Sequence, residues 1–255
     1  MADITGTNGF DKLTGTDGAD TIRGLEGDDW LRGRDGDDVL VGGRGSDLLV
    51  AGEGVDRLYG GIGADTLVSN LGGGLLNGGG GDDEFLVNHY GENDDVSLTL
   101  TGGGGNDVVW LSLYSRLSDI KVKTDAGADL VQMMGSKGKL AIDLGGGADE
   151  IYIASRYGGG DGPAMVAGFD PGAGGDNVDI ASNGALLDGG LVNYAEGDNP
   201  FATGHLRLVQ RAAGAALECD GGGEGDFYHL LLLFRGMTVG HFTADNFSGF
   251  DPFAM

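Results

Sequence analysis

The chain has 255 residues, of which 40 are acidic and 15 basic, for a formal net charge of -25. That balance excludes nucleic acid as a partner, since phosphate recognition needs the opposite sign, and it predicts poor folding unless counterions are bound. With 55 glycines against two tryptophans, seven tyrosines and ten phenylalanines, an ordinary globular core is excluded as well, and a thin, repeated core is expected instead.

Residues 1–5 read as a short N-terminal leader. The opening MADITGTNG has neither a basic region nor an apolar core, so no cleavable signal peptide is expected. Residues 6–86 then hold nine copies of one nine-residue unit, laid end to end without insertion. The fourth position is Gly in every copy, from Gly9 to Gly81, and the eighth is always large and apolar, from Leu13 through Ile22 to Phe85. The sixth position is Asp11, Asp20, Asp29, Asp38, Asp47, Asp56, Asp65 and Asp83, with Gly74 as the exception. A disordered acidic linker requires no such fixed Gly or fixed apolar residue.

Glycines at positions one, two and four suit a tight turn, and the following x-U-x suits a three-residue strand that directs one apolar side chain inward. Two units make a coil of 18 residues, and coils stacked at about 4.8 Å place each Asp above the one 18 residues earlier. One edge carries Asp11, Asp29, Asp47, Asp65 and Asp83. The other carries Asp20, Asp38 and Asp56 and fails at Gly74, where replacement by Asp is expected to restore a site. Carboxylates so close repel by roughly 1 kcal/mol per neighbour in water, whereas a divalent cation held by carboxylates and turn carbonyls reverses the sign. Calcium suits such a carbonyl-rich turn better than magnesium, because its oxygen coordination is larger and more flexible.

The repeat resembles the RTX, or hemolysin-type, family, whose G-G-x-G-x-D-x-U-x unit forms a calcium-binding parallel β-helix. The resemblance implies an all-β fold, a right-handed parallel β-roll or β-solenoid, with several Ca2+ ions on the turn aspartates.

From residue 87 to 185 the period of nine stops, but the turn does not. Gly-x-Asp followed by an apolar residue recurs at Asp107, Asp129, Asp149 and Asp176, in steps of 24, 22, 20 and 27 residues from Asp83. Such steps are coil-sized, so one edge keeps the aspartate turn and the other carries longer loops. Alternating strands are expected at Val96–Leu100, Ile120–Lys123 and Leu140–Leu144. Four of the five lysines fall between Lys121 and Lys139. An anionic polysaccharide contact would explain them, but coil stacking does so better, since it sets Lys123 against Asp143 and Lys139 against Asp119. Val166–Asp170 followed by Gly175–Ile180 looks like the closing calcium turn of RTX rolls.

Residues 186–255 change character. Apolar stretches at Leu206–Val209, Ala215–Leu217 and Tyr228–Phe234 suggest a short antiparallel cap over the open end of the solenoid. Leu206–Gln210, the apolar strand before Arg235-Gly236, Thr243–Phe247 and Gly249–Pro252 are also similar to the C-terminal region of proteins exported by type I systems. That similarity implies the type I secretion apparatus as a partner, a secreted, extracellular destination outside a bacterial cell, and folding when calcium is met there.

No catalytic domain is evident. None of the four histidines begins H-E-x-x-H, and no serine lies in G-x-S-x-G. Cys219 is the sole cysteine, so no intramolecular disulfide can form, and it reads as a small buried hydrophobe. The longest apolar run, Leu230–Phe234, is too short to span a membrane. The reading is a calcium-folded protein with a structural, surface-associated or interaction role. Two alternatives are a lyase-like enzyme acting on polysaccharide, with Arg116, Lys121 and Lys123 as candidates, and a membrane-acting toxin.

Overall fold

The computed structural model describes residues 1–70, 72–89, 97–113, 119–134, 139–153, 163–172, 174–179, 199–203, 205–220, 229–247, 249–250 and 252–253. The stretch read as a leader contributes β1 (Asp3–Thr5), which joins the first coil, and the repeats form β2 (Lys12–Thr14), β3 (Thr21–Glu26), β4 (Trp30–Asp35) and β5 (Val39–Arg44). They continue through β6 (Leu48–Glu53), β7 (Val55–Ile62), β8 (Thr66–Ser69), β9 (Gly73–Gly80) and β10 (Glu84–His89). Beyond them lie β11 (Ser97–Gly104), β12 (Val108–Leu113), β13 (Asp119–Ala126), β14 (Leu130–Met134) and β15 (Lys139–Asp143). Next come β16 (Glu150–Ile153), β17 (Ala164–Ala167) and β18 (Asn177–Asp179), and last β19 (Leu206–Arg211), β20 (Gly214–Cys219) and β21 (His229–Arg235).

Odd-numbered strands from β1 to β17 stack in parallel in one sheet, and even-numbered strands from β2 to β18 stack in parallel in a second. The chain is therefore a parallel β-solenoid with one strand per sheet in each coil. Within the repeats the register is the expected 18 residues: Ile4 pairs with Ile22, Leu13 with Leu31, Leu40 with Leu58. Past Phe85 the second sheet follows the aspartate steps, pairing Phe85 with Val109, Val109 with Val131, Val131 with Ile151 and Ile151 with Val178. The longer loops expected on the opposite edge fall at residues 90–96, 114–118, 135–138 and 154–162, which lie outside the described residues, as does the expected boundary at 185/186.

The eighth-position residues fill the space between the sheets. Ile22, Leu31, Leu40, Leu49, Leu58, Leu67, Leu76 and Phe85 are all 0% exposed, each contributing about 1.5–3 kcal/mol of burial. Their neighbours on either side point outward. Most strands run longer than the three residues expected: β3 covers six and β7 eight, because the glycine turns go on hydrogen-bonding to the coil above. Gly27 N–H, for example, donates to the Arg44 carbonyl at 2.8 Å.

The antiparallel cap is present and is continuous with the first sheet. β19 pairs antiparallel with β20 and β20 with β21, while β21 runs parallel to β17, with Leu232 opposite Ala164. Phe169, Phe234 and Phe242 pack with ring centroids 4.8 to 5.6 Å apart, and Phe247 lies 5.7 Å from Phe242, sealing the last coil with offset and edge-on rings. Cys219 is buried in this cap, as expected. The lysine registers also hold: Asp119 opposes Lys139 and Lys123 opposes Asp143. Lys123 additionally pairs with Asp125 on its own strand.

Candidate metal centre

All twelve predicted aspartates sit at solenoid edges, and the stacking joins them into two ladders. In the first ladder the backbone N–H of each Asp donates to Oδ1 of the Asp one coil on: Asp11 to Asp29, Asp29 to Asp47, Asp47 to Asp65 and Asp65 to Asp83, at 2.7 to 2.8 Å. The wider coils do not interrupt it. Asp83 donates to Asp107, Asp107 to Asp129, Asp129 to Asp149 and Asp149 to Asp176, at 2.7 to 2.9 Å. The second ladder is short, running from Asp20 to Asp38 at 2.7 Å and from Asp38 to Asp56 at 2.9 Å.

These bonds use only one oxygen of each carboxylate. Oδ2 of Asp29, Asp38, Asp47, Asp56, Asp65, Asp83, Asp107, Asp129 and Asp149 is buried and has no hydrogen-bond partner, and each of the nine residues is at most 2% exposed. A buried, unpartnered carboxylate oxygen costs several kcal/mol, so nine of them require a compensating charge. Burial accordingly raises these carboxyls above the usual carboxylate range, only partly opposed by the backbone N–H of the preceding Asp. Asp56, Asp83 and Asp149 rise to about 6 and Asp65 and Asp107 to about 7.

The turn backbone is shaped around the same oxygens. At Gly42 an added Cβ would overlap Asp47 Oδ2 and come within 2.7 Å of the Gly60 carbonyl. Gly6, Gly15, Gly24, Gly33, Gly60, Gly78 and Gly102 likewise would place a Cβ against the Oδ2 of the aspartate five residues on. These eight turns therefore favour glycine at position one, and at all of them but Gly78 a carbonyl oxygen of the next coil lies within 2.7 Å of the same Cβ position; Ala51, Thr124 and Leu144 take position one before Asp56, Asp129 and Asp149. In all nine turns, moreover, the residue four before the Asp has a positive φ, between 73° at Asp125 and 134° at Gly52. Three of these residues are not glycine: Leu25 (φ 93°), Arg34 (φ 89°) and Asp125. Each carries about 1–2 kcal/mol of backbone strain, and strain of this kind concentrates at binding sites.

Among the described residues no three Asp, Glu, His or Cys side chains converge on one point. A cation at these edges would therefore draw on backbone carbonyls as well as carboxylate oxygens, an all-oxygen set of the kind calcium takes. The donor set present fits that ion.

A family model described as the RTX calcium-binding nonapeptide repeat matches four stretches, residues 5–40, 32–67, 41–76 and 99–112. The chain carries RTX calcium-binding nonapeptide repeats. The fourth match contains Asp107, so an RTX turn recurs after the strict period has ended. No curated protein matches the chain. Among solved structures, the solution structure of the AlgE6R3 subunit from the Azotobacter vinelandii mannuronan C5-epimerase is similar, with 22% identity over 71% of this chain and 84% of that chain and a TM-score of 0.32.

Three of the predicted aspartates differ from the other nine. Oδ2 of Asp11 accepts the backbone N–H of Thr7 at 2.5 Å and its hydroxyl at 2.9 Å. Oδ2 of Asp20 accepts the Thr16 N–H at 2.5 Å and hydroxyl at 2.8 Å, and the Thr16 N–H holds Asp20 below the usual carboxylate range. At the far end Asp176 Oδ2 accepts the Asp170 N–H at 2.6 Å. Sequence reasoning missed this distinction, although Thr rather than Gly at position two of the first two repeats is a visible signal.

Gly74 overturns a second expectation. It has φ +121°, and a Cβ there would lie against the Asp56 carbonyl oxygen and 2.8 Å from the Asp56 nitrogen. Gly74 pairs with Asp56 inside the β7/β9 ladder, so the chain here needs glycine for close backbone approach, and Asp would not restore a turn. Of the lyase candidates, Arg116 lies outside the described residues, and Lys123 is engaged by Asp125 and faces Asp143.

Proposed function

We propose that this protein is an exported calcium-binding β-roll that folds on meeting calcium outside a bacterial cell and serves a structural, surface-associated or interaction role there. The observation that carries the calcium reading is the set of nine buried Oδ2 atoms without hydrogen-bond partners, in turns that all carry a positive φ four residues before the Asp. Calcium bound at these oxygens would supply the charge that cancels repulsion along the ladders. Asp29, Asp47, Asp65, Asp83, Asp107, Asp129 and Asp149 would hold it on the first ladder, and Asp38 and Asp56 on the second.

Export rests on the C-terminal resemblance and on the physics of threading. Ladders that repel without calcium stay unfolded at low cytosolic calcium, and sites with affinities near 0.1–1 mM fill only outside. The interaction role draws support from the outward face of the second sheet, where Val50, Val68, Leu86 and Trp110 occupy successive coils in register. Among the described residues no helix is long and apolar enough to cross a membrane.

The test is co-expression with a type I exporter, scoring the chain in the medium with and without residues 206–255, together with calcium binding by calorimetry against a magnesium control. Retention in the cell on truncation, and heat with calcium only, are the expected results. Equal export of the truncated chain would remove the export reading, and equal binding of magnesium would remove the calcium reading.

A further inference from the structure

The twelve aspartates share one sequence position but fall into two kinds of turn. Where Oδ2 has no partner, the residue four before the Asp has a positive φ in every case, and so does the glycine two before it, from Gly27 to Gly147. Neither Thr7 nor Gly9, and neither Thr16 nor Gly18, has a positive φ. The peptide is thereby turned over: in the first coil the Thr N–H and hydroxyl face the carboxylate, whereas in the strained turns no backbone N–H meets Oδ2, and Thr124, the hydroxyl beside Asp129, donates to the Leu144 carbonyl at 2.7 Å. Backbone N–H groups and hydroxyl protons placed at a carboxylate oxygen take up the lone pairs and present positive dipole to the space beside it, which opposes a cation.

Resting on the calcium reading above, we infer that the array begins one coil inside the chain and stops before its last turn: Thr7 and Thr16 stand in for calcium at Asp11 and Asp20, and Asp170 does so at Asp176. The cap completes the terminal turn without a metal. Along the first ladder each Asp carbonyl accepts an N–H from the next coil, as from Trp30 to Asp11 at 2.9 Å and from Asn177 to Asp149 at 2.7 Å. Among the described residues no further coil stacks on β18, and the Asp176 carbonyl instead accepts Asn246 Nδ2 at 2.8 Å, an amide side chain that is 1% exposed and stands where the next coil's backbone donor stands elsewhere. Both ends of the solenoid are therefore closed by protein hydrogen bonds, and the metal-dependent stretch lies between them.

Crystals of the full chain grown in calcium and measured for anomalous scattering should show peaks beside Oδ2 of Asp47 and Asp65 and none beside Oδ2 of Asp11, Asp20 or Asp176. A peak at any of those three overturns the inference while leaving calcium binding intact; absence of peaks throughout overturns the calcium reading itself. In solution, the number of calcium ions per chain by native mass spectrometry should be unchanged in Asp20→Asn and lower by at least one in Asp47→Asn. An equal loss in the two variants would count against the division.

Discussion

Gly42 provides the sharpest perturbation of the cradle. In Gly42→Ala the new methyl overlaps Asp47 Oδ2 and lies 2.7 Å from the Gly60 carbonyl. Neither neighbour is free to yield, since Asp47 is 2% exposed and anchored by the Asp29 N–H at 2.7 Å, and the carbonyl belongs to the next coil. Overpacking of this kind costs about 1–3 kcal/mol. It also displaces the oxygen proposed to meet calcium, so the calcium midpoint should rise as stability falls. Gly80→Ala is the matched control: nothing lies within 4 Å of its Cβ position and its φ is not positive, so the loss of unfolded-state freedom should stabilise by about 0.4–1 kcal/mol. The two substitutions are chemically identical and have opposite expected signs. Urea denaturation at saturating calcium, with a slope of about 3 kcal/mol/M, should move the midpoint down by roughly 0.3–1 M for Gly42→Ala and slightly up for Gly80→Ala. Equal shifts in the two variants would refute the cradle.

Acidification should favour the fold in chelator. The ladder carboxyls titrate higher in the fold than unfolded, so the folded chain binds more protons, and the penalty present above about pH 7 is relieved as the pH falls toward 4; β-structure by circular dichroism that declines on acidification would contradict this. With calcium present the dependence should reverse, because protons and calcium compete for the same oxygens. Asn246→Ala should cost about 1–3 kcal/mol by leaving the buried Asp176 carbonyl unpaired, with amide exchange rising first in β18. Gly74→Asp should lower stability and leave the calcium count unchanged; a gained ion would show that the backbone at β7/β9 relaxes more than its packing allows. Glu218, 1% exposed, is pushed up by burial and brought below the usual range by Arg211 and Arg207. Glu218→Gln should cost about 1–3 kcal/mol at neutral pH and progressively less as the pH falls below 4, a difference readable from thermal midpoints.

Much of this architecture is legible in the sequence because a solenoid turns period into geometry. The 18-residue register of Ile22 with Leu40 follows from the repeat alone, and the uneven spacing of Asp107, Asp129, Asp149 and Asp176 gives the second sheet's later registers residue for residue, whereas in the first sheet Ile142 pairs with Val166, 24 residues on rather than 27. The cross-coil placement of Lys123 against Asp143 follows from the same count. What spacing does not carry is the direction of a peptide plane. Leu25, Arg34 and Asp125 adopt a conformation that their side chains disfavour, so nothing in their identity announces it, and the apparent equivalence of Asp20 and Asp38 conceals opposite hydrogen bonding at Oδ2. The contact of Asn246 with Asp176 joins residues 70 apart through the cap, beyond the reach of any local pattern. Gly74 reads as a lost aspartate in the repeat alignment, whereas in the fold it is a strand residue under a backbone carbonyl.

The most direct test of the central claim is far-UV circular dichroism of the purified chain in chelator, titrated with calcium to several millimolar and, separately, with magnesium. A cooperative transition from coil to β-structure with calcium alone is the predicted result. Full β-structure in chelator near neutral pH would contradict the account, because nine buried carboxylate oxygens would then be tolerated without the ion proposed to compensate them.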